Sequence, residues 1–508
     1  MTITAGTAPA PLPDRTRVLV VGTGFAGLGT AIQLRRHGRL DFLVLERGHD
    51  VGGTWRDNTY PGCACDVPSH LYSFSFAPNP DWTRTFSPQP EIQAYLQRTA
   101  RESGVLPHVR FGTELLSAHF DDASSTWTVE TTRGTVVADV LVLGTGGLSE
   151  PKAPDLPGLD GFTGTTFHSA TWDHHHDLTG ERVAVIGTGA SAIQFVPHVQ
   201  RHAAHLTLFQ RTAPWVLPRR DRGISRLERR LYRAVPAAQR LNRLGLYASR
   251  ESWLVGFTMQ TRLMAVAERI ATRQLARQVP DPVLRDRLTP RFRLGCKRVL
   301  LSNAYYPALS QPNAQVVTDR IVEVTPTAVV SEAADGTRTP HEVDTIIYGT
   351  GFQVTDPPVA HRVHGRDGRT LAQVWADSGM AAHHGVTIAG FPNLFLLVGP
   401  NTGLGHNSIV YMIESQIAYV LDALEKSEQQ GVAAFEPRQD VQDAWNDDLQ
   451  ERLQGTVWNA GGCSSWYLDR SGRNTTLWPT FTLPYRRTLA SFDLEQYDTT
   501  PLRTEVAA

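Results

Sequence analysis

The stretch Arg17-Val18-Leu19-Val20-Val21-Gly22-Thr23-Gly24-Phe25-Ala26-Gly27 decides the fold. Its first half has the composition of a buried parallel strand, and a GxGxxG loop follows without a gap. Residues 28–36 have helical composition, and residues 42–46 predict a second strand. Glycines permit a tight turn and bring the backbone close to a pyrophosphate at a helix N-terminus. The stretch therefore predicts a Rossmann-like unit that binds a dinucleotide, with an ordinary tight turn as the alternative.

The same pattern occurs a second time, with the opposite charge at its end. Residues 182–186 lead into Gly187-Thr188-Gly189-Ala190-Ser191-Ala192. Glu46 lies 46 − 22 = 24 residues after Gly22, and Arg211 lies 211 − 187 = 24 residues after Gly187. A carboxylate there accepts hydrogen bonds from ribose and repels a 2′-phosphate, whereas a guanidinium binds that phosphate as a fork. Unless Arg211 is only a solvated surface residue, the two loops predict FAD in the first unit and NADPH in the second.

The order of these units predicts an α/β fold with two Rossmann-like dinucleotide-binding domains, for FAD and NADP, and a helical insertion. Apolar runs that end in Gly144-Thr145-Gly146 and Gly349-Thr350-Gly351 close the two units. We expect an FAD-binding part at 1–146, an NADP-binding part at 147–218, the insertion at 219–292, a second NADP-binding part at 293–384, and the rest of the FAD-binding domain with a C-terminal cover at 385–508. A helix over 409–425 should direct its N-terminus at the flavin.

Composition excludes several other classes. The 508 residues carry a formal net charge of −1, which argues against nucleic acid or an anionic membrane as partner. We expect no membrane span, because no apolar run approaches bilayer length. Four cysteines are too few for a disulfide framework, so a reducing cytoplasm is expected. Cys63 and Cys65 are expected to be two buried small residues rather than a redox pair, and the His174-His175-His176 run a polar turn rather than a metal site.

The linker between the two loops carries a narrower pattern. Phe162, Gly164, His168, Trp172 and Asp173 follow the spacing F-x-G-x-x-x-H-x-x-x-W-[PD]. On this linker the chain resembles the type I Baeyer–Villiger monooxygenases over nearly its full length. Heteroatom-oxidising relatives of that family carry Tyr or Phe at the tryptophan position. Further matches are Gly52-Gly53-Thr54-Trp55, Tyr60-Pro61-Gly62, Cys65-Asp66, Lys297-Arg298 and the loop 399–408.

The resemblance implies a reaction and a set of residues. NADPH would reduce FAD, oxygen would form a peroxide at the flavin C4a carbon, and that peroxide would convert a ketone to an ester or lactone. Arg298 would stabilise the negative charge, Asp66 would orient Arg298, and His168 would act in the hinge between domains unless it is only structural. The cofactor-binding set from motifs and resemblance is Gly22, Gly24, Phe25, Gly27, Glu46, Thr54, Trp55, Arg56, Asp57, Ala64, Cys65, Asp66, Tyr72, Gly187, Thr188, Gly189, Ala190, Ser191, Ala192, Ile193, Arg211, Thr212, Lys297 and Arg298.

Three other functions stay open. A heteroatom oxygenase would act on amines or sulfides with the same flavin chemistry, and Trp172 argues against it. A disulfide-type NADPH reductase carries a cysteine directly after Gly-Gly-Thr, where this chain has Trp55. A nucleotide-sensing flavoprotein would have no use for Arg298 and Asp66. The ketone itself is not predicted, since linear, cyclic, aryl and steroid ketones all fit, and neither is the oligomeric state.

Overall fold

A computed structural model describes residues 11–259 and 261–502 of the chain. In chain order the strands are β1 (Arg15–Val21), β2 (Phe42–Leu45), β3 (Val109–Arg110), β4 (Leu115–Asp121), β5 (Thr126–Thr131), β6 (Gly134–Leu143), β7 (Thr165–His168), β8 (Arg182–Ile186), β9 (His205–Phe209), β10 (Val216–Leu217), β11 (Leu300–Leu301), β12 (Ala314–Val317), β13 (Arg320–Val324), β14 (Ala328–Glu332), β15 (Arg338–Glu342), β16 (Thr345–Tyr348), β17 (Val363–His364), β18 (Leu394–Leu396), β19 (Val432–Pro437) and β20 (Tyr497–Pro501). The helices are α1 (Phe25–Arg36), α2 (Thr54–Asp57), α3 (Gln89–Glu102), α4 (Ala192–His202), α5 (Arg226–Ala234), α6 (Pro236–Leu254), α7 (Met264–Gln278), α8 (Pro282–Arg287), α9 (Tyr305–Leu309), α10 (Leu371–Ser378), α11 (Ile409–Gln429), α12 (Gln439–Gln454), α13 (Val457–Ala460) and α14 (Thr482–Thr488).

The first sheet is built around β1, as its apolar run predicts. The strand order is β17-β4-β5-β6-β1-β2-β3, with β18 paired to β6. β1 runs parallel to β2 and β6 and is buried on both faces. Val18 and Val20 pack into the core on one face, and Leu19 and Val21 pack into the core on the other. Burial on both faces explains why the strand reads as continuous apolar sequence rather than as an alternating pattern.

The second sheet repeats this arrangement. Its order is β12-β9-β8-β16-β7, and all of its strands are parallel. Helices α5 to α8 lie between β10 and β11 in sequence. These two strands pair in parallel, so the helical segment begins and ends at the same place. The predicted α/β fold with two Rossmann-like units and a helical insertion is confirmed, and the first sheet also contains the antiparallel pairs β4–β5 and β5–β6. No helix within 11–259 or 261–502 combines the length and the apolarity needed to cross a membrane.

The chain returns to the first sheet earlier than we expected. Residues 293–384 were assigned to the NADP-binding part, but β17 pairs with β4 of the first sheet, where Val363 lies opposite Ala118. The strand pairing therefore brings part of the predicted 293–384 segment back to the first sheet between β16 and β17, and the boundaries of the two cofactor-binding parts stay predictions. A strand of two residues, flanked by polar and glycine-containing sequence, forms no apolar run and leaves no pattern to predict it.

The cysteines also differ from expectation. Cys296 and Cys463, which are 167 positions apart in sequence, form a disulfide with their Cα atoms 6.1 Å apart. The chain therefore carries one disulfide, where the sequence predicts no disulfide framework and a reducing compartment. So long a separation carries no spacing pattern that sequence reasoning could use. Cys63 and Cys65 are free and buried, as predicted.

Candidate active site

The first glycine of each nucleotide loop lies against the strand end that closes its own unit. Gly22 has φ +98°, and a Cβ there would lie 2.7 Å from the carbonyl oxygen of Gly144. Gly187 has φ +110°, and a Cβ there would lie 2.4 Å from the carbonyl oxygen of Gly349. Any side chain would collide with backbone and would require a strained conformation. Both loops therefore keep bare backbone ahead of α1 and α4, which suits a pyrophosphate.

Glu46 is buried at the end of β2 and already holds several donors. Its Oε2 accepts hydrogen bonds from the Thr23 amide at 3.0 Å and from the Thr23 hydroxyl at 2.5 Å. Its Oε1 accepts from the Gly48 amide at 2.7 Å and from Arg56 Nη1 at 2.5 Å. Arg56 also donates from Nε to Asp57 at 2.7 Å. The carboxylate thus braces the first nucleotide loop, and its contact with ribose stays a prediction.

Three aromatic residues of the predicted FAD set form one wall. Trp55 Nε1 donates to the Tyr72 hydroxyl at 3.1 Å, and the two rings lie 5.6 Å apart. The Phe25 ring meets Tyr72 edge-on at 5.0 Å. Burial raises the pKa of Tyr72 well above its usual range, so the phenol stays neutral. The structure therefore brings together residues that sequence analysis took from two separate segments.

The loop before α11 is strained and polar, although it is buried. Val398 has φ +61° and Asn401 has φ +55°, conformations that are uncommon for residues with a side chain. Among the described residues, Asn401 Oδ1, His406 Nδ1 and Ser408 Oγ are buried atoms without a hydrogen-bond partner. Strain and unsatisfied polar atoms together are typical of a ligand site. Their donor and acceptor chemistry fits the polar pyrimidine end of a flavin.

Arg298 and Asp66 form the ion pair that the resemblance implies. Arg298 donates from Nε to Asp66 Oδ2 at 2.8 Å and from Nη2 to Oδ1 at 2.7 Å. The charge of Asp66 is the main reason that the pKa of Arg298 is raised. Burial would raise the pKa of Asp66, but the charge and hydrogen bonds of Arg298 outweigh it and lower that pKa. Both groups are therefore ionised, and Nη1 lies outside the ion pair.

Lys297 and Arg211 come together from two segments of the second unit. Burial is the main cause of a lowered pKa at Lys297, and the charge of Arg211 lowers it further. The Lys297 ammonium also lies 5.3 Å from the centre of the Phe292 ring. The carbonyl of Thr212 accepts a hydrogen bond from the Thr188 hydroxyl at 3.3 Å. Two neighbouring cations beside the second nucleotide loop fit a dianionic phosphate.

The linker residues His168 and Trp172 are packed rather than free. The His168 Nδ1 accepts a hydrogen bond from the Ala170 amide at 3.0 Å, and its ring lies edge-on to Phe352 at 5.8 Å. Burial lowers the pKa of His168, while the Gly351 carbonyl opposes that shift. The Trp172 ring packs between Phe167 at 5.1 Å and Phe195 at 5.3 Å. A neutral histidine at a crossing between the two sheets suits a hinge better than proton transfer.

Gln194 is a residue that sequence analysis did not single out. Its Oε1 accepts from the Tyr60 hydroxyl at 3.0 Å and from the Ala64 amide at 3.2 Å. Its Nε2 donates to the Ala64 carbonyl at 2.9 Å. The side chain thus joins α4 of the second unit to the loop that carries Ala64, Cys65 and Asp66. Its position directly after Ile193, which ends the predicted run of cofactor-binding residues 187–193, is the signal that could have indicated it.

Glu251 is a second residue that sequence analysis missed. It lies on α6 and accepts hydrogen bonds from Asn407 Nδ2 at 2.5 Å and from the Thr482 amide at 3.0 Å. The His406 ring nitrogen Nε2 lies 3.2 Å from the same carboxylate. Glu251 therefore ties the helical insertion to the strained loop and to the C-terminal cover. No local pattern marks one acid in an arginine-rich helical segment.

Comparisons with known proteins agree with this geometry. Residues 15–231 match the flavin-binding monooxygenase-like family. A Baeyer–Villiger monooxygenase of Streptomyces coelicolor is 54% identical over 95% of this chain and 92% of its own length. One from Pseudomonas aeruginosa is 50% identical over 98% of this chain and 94% of its own length.

Solved structures give the same result. An oxidised steroid monooxygenase bound to NADP superposes with a TM-score of 0.83 at 30% identity, over 96% of this chain and 100% of its own. A closed cyclohexanone monooxygenase superposes with a TM-score of 0.85 at 27% identity, over the same shares. The sequence relatives extend over nearly the whole chain, and the superpositions include both sheets. The chain therefore belongs to the type I Baeyer–Villiger monooxygenases, flavoproteins that use FAD, NADPH and oxygen to convert a ketone to an ester or lactone.

Proposed function

We propose that Arg298, held by Asp66, is the catalytic group with which this chain converts a ketone to an ester or lactone. The proposal rests on the bidentate ion pair between them, in which Arg298 uses Nε and Nη2 and leaves Nη1 outside the pair. Bound FAD, once reduced by NADPH, would activate molecular oxygen, which supplies the transferred oxygen atom. Arg298 stabilises the negative charge that develops on oxygen, because a guanidinium stays protonated at every working pH. Asp66 fixes the direction in which the guanidinium points.

The first sheet is the FAD-binding part in this proposal, and the second sheet is the NADP-binding part. The aromatic wall of Phe25, Trp55 and Tyr72 supports the first assignment, because Phe25 and Trp55 are buried, Tyr72 is partly buried, and the rings lie next to the first glycine loop. The pair of Lys297 and Arg211 supports the second, because two like charges lie close enough to perturb each other. They would bind the 2′-phosphate that distinguishes NADPH from NADH.

His168 is a positioning residue in this proposal. It ends β7, which pairs with β16, and its ring contacts Phe352 just beyond the second Gly-Thr-Gly turn. Its side chain therefore lies beside the segment in which the chain leaves the second sheet after β16. We propose that it sets the angle between the two units as NADP is bound, and that it transfers no proton.

A ketone panel tests the function directly. The purified protein, loaded with FAD, is given NADPH, air and linear, cyclic, aryl or steroid ketones, and products are analysed by mass spectrometry. We expect at least one ketone to gain a single oxygen atom, with NADPH consumed in proportion. A matched panel of thioethers and amines tests the heteroatom alternative. Oxygen transfer to thioethers or amines alone would refute the proposal.

We also propose that the enzyme works in the cytoplasm on a freely diffusing ketone. The near-neutral net charge supports a substrate free in solution, because it offers no attraction to nucleic acid or to an anionic surface. The location itself is proposed from the small number of cysteines, of which Cys63 and Cys65 are free thiols. Cell fractionation with an activity assay tests the location. Recovery of the activity outside the cytoplasmic fraction would contradict it.

A further inference from the structure

The Cys296–Cys463 disulfide lies next to the two segments that meet at Arg298. Cys296 is fully buried and comes two residues before Arg298. Cys463 comes four residues before Tyr467, which is 1% exposed. Burial raises the pKa of Tyr467 to about 12, and the charges of Arg298 and Asp66 act on the same hydroxyl. The disulfide therefore links the segment that carries Arg298 covalently to the segment that continues to Tyr467.

The backbone around the disulfide is shaped to admit it. Gly295 has φ +102°, so the chain turns in a glycine-favoured conformation directly before Cys296. A Cβ at Gly461 would lie 2.6 Å from the Cys296 Cβ and 2.9 Å from its Sγ, which leaves no room for a side chain there. The Arg293 amide donates to the Gly461 carbonyl at 3.0 Å. The two segments thus meet backbone to backbone, with the sulfur bridge filling the space between them.

The segment that begins at Cys463 contacts, at its other end, the loop before α11 (residues 399–408). The Asn401 amide donates to the Thr475 carbonyl at 2.9 Å, and the Gly403 amide donates to the Thr476 carbonyl at 2.8 Å. Between Cys463 and these residues, the hydrogen bonds at Asp469 and Arg473 are largely local to the segment. The disulfide therefore anchors this segment covalently near Arg298, and hydrogen bonds hold its other end against the loop before α11.

We propose that the Cys296–Cys463 disulfide is a positioning element for ketone oxygenation, which holds the Arg298 segment and the Tyr467 segment in register. This inference rests on the proposed role of Arg298. A dithiol reagent breaks the bond by giving up two electrons and two protons. The S–S bond is replaced by two thiols, and the dithiol closes to its own cyclic disulfide. Reduction leaves both glycine loops in place but loosens the segment that carries Lys297 and Arg298 relative to the reacting oxygen, so flavin reduction is compared at saturating NADPH.

The test separates oxygen transfer from NADPH consumption. Ester formed per NADPH oxidised is measured for the FAD-loaded enzyme before and after dithiol treatment, and for Cys463→Ser, where the half-buried partner is replaced. Because small misplacements of a catalytic group have large effects on rate, we expect this ratio to fall about tenfold in both samples. The rate of flavin reduction by NADPH should stay near that of the untreated enzyme. Cys463→Ser should not respond further to the dithiol, which controls for other effects of the reagent.

Two results would overturn the inference. The first is an unchanged ester yield per NADPH in the reduced enzyme. The second is alkylation of all four cysteines in the denatured, unreduced protein, since the disulfide leaves only Cys63 and Cys65 as thiols. If Cys463→Ser does not fold, the dithiol-treated wild type still gives the comparison. Failure of the proposed function looks different, because the oxidised enzyme itself would then form no ester.

Discussion

Replacing Arg298 should separate the two halves of the catalytic cycle. The guanidinium uses Nε and Nη2 for Asp66 and keeps Nη1 outside the pair, so Arg298→Ala removes a charged donor from the reacting oxygen. Loss of one donor at a developing oxyanion typically costs about 100- to 1,000-fold in rate, or about 2.7–4 kcal/mol. We expect ester formation to fall by that factor. Reduction of FAD by NADPH should stay close to wild type.

Asp66→Asn should have a smaller effect on ester formation than Arg298→Ala. An asparagine keeps the shape and can still accept one of the two hydrogen bonds from Arg298. A hydrogen bond to a charged group is worth about 1.5–3 kcal/mol, which corresponds to a roughly 10- to 150-fold loss of ester formation. Anaerobic stopped-flow absorbance measures flavin reduction, and product analysis in a single turnover measures oxygen transfer. Equal loss of both half-reactions in Arg298→Ala, or a larger loss in Asp66→Asn than in Arg298→Ala, would refute the assigned roles.

Three further predictions concern cofactor choice and pH. Arg211→Ala should lower kcat/KM for NADPH by roughly 10- to 150-fold, which is the contribution of one hydrogen bond to a charged group, and should leave kcat/KM for NADH unchanged. An unchanged preference for NADPH over NADH would contradict the assignment of Arg211 to the 2′-phosphate. Burial and the charge of Arg211 lower the pKa of Lys297, so this side chain loses its positive charge below the usual lysine pKa of about 10.4. We therefore expect kcat/KM for NADPH to decline as pH rises through that lowered pKa, and Lys297→Arg should remove the decline. Burial would raise the pKa of Glu251, but hydrogen bonds from His406 and Asn407 outweigh it and lower that pKa. The ionised Glu251 therefore stabilises the folded protein fully above the unfolded pKa of about 4.3, and this contribution is lost as pH falls through the lower pKa of the folded state. Thermal melts across acidic pH should therefore show a shallower loss of stability in Glu251→Gln than in wild type.

The parts of the fold that could be predicted from sequence are those determined by short stretches. Gly22 and Gly187 each lie within a strand, loop and helix of about thirty residues, and their φ angles follow from that local context. Glu46 was predicted to contact ribose from its offset alone. Its position at the end of β2 agrees, but the offset did not reveal the four donors that already surround it.

Contacts between distant residues could not be predicted in the same way. Arg298 and Asp66 are separated by 232 residues, and only the family resemblance indicated the pair. Gln194 meets Ala64 across 130 residues, and the disulfide joins residues 167 apart. Such contacts depend on how two sheets and a helical segment pack, which no spacing in one chain expresses.

The late return of the chain to its first sheet has a consequence for synthesis. Leu141–Leu143 on β6 pair with Leu394–Leu396 on β18, which emerge from the ribosome about 250 residues later. At about 5–20 residues per second, that interval is roughly 12–50 s. During it, the edge of a central strand and apolar side chains such as Leu141 and Leu143 have no native cover. The nascent first unit therefore exposes these apolar side chains until β18 is made, and slower elongation lengthens that exposure.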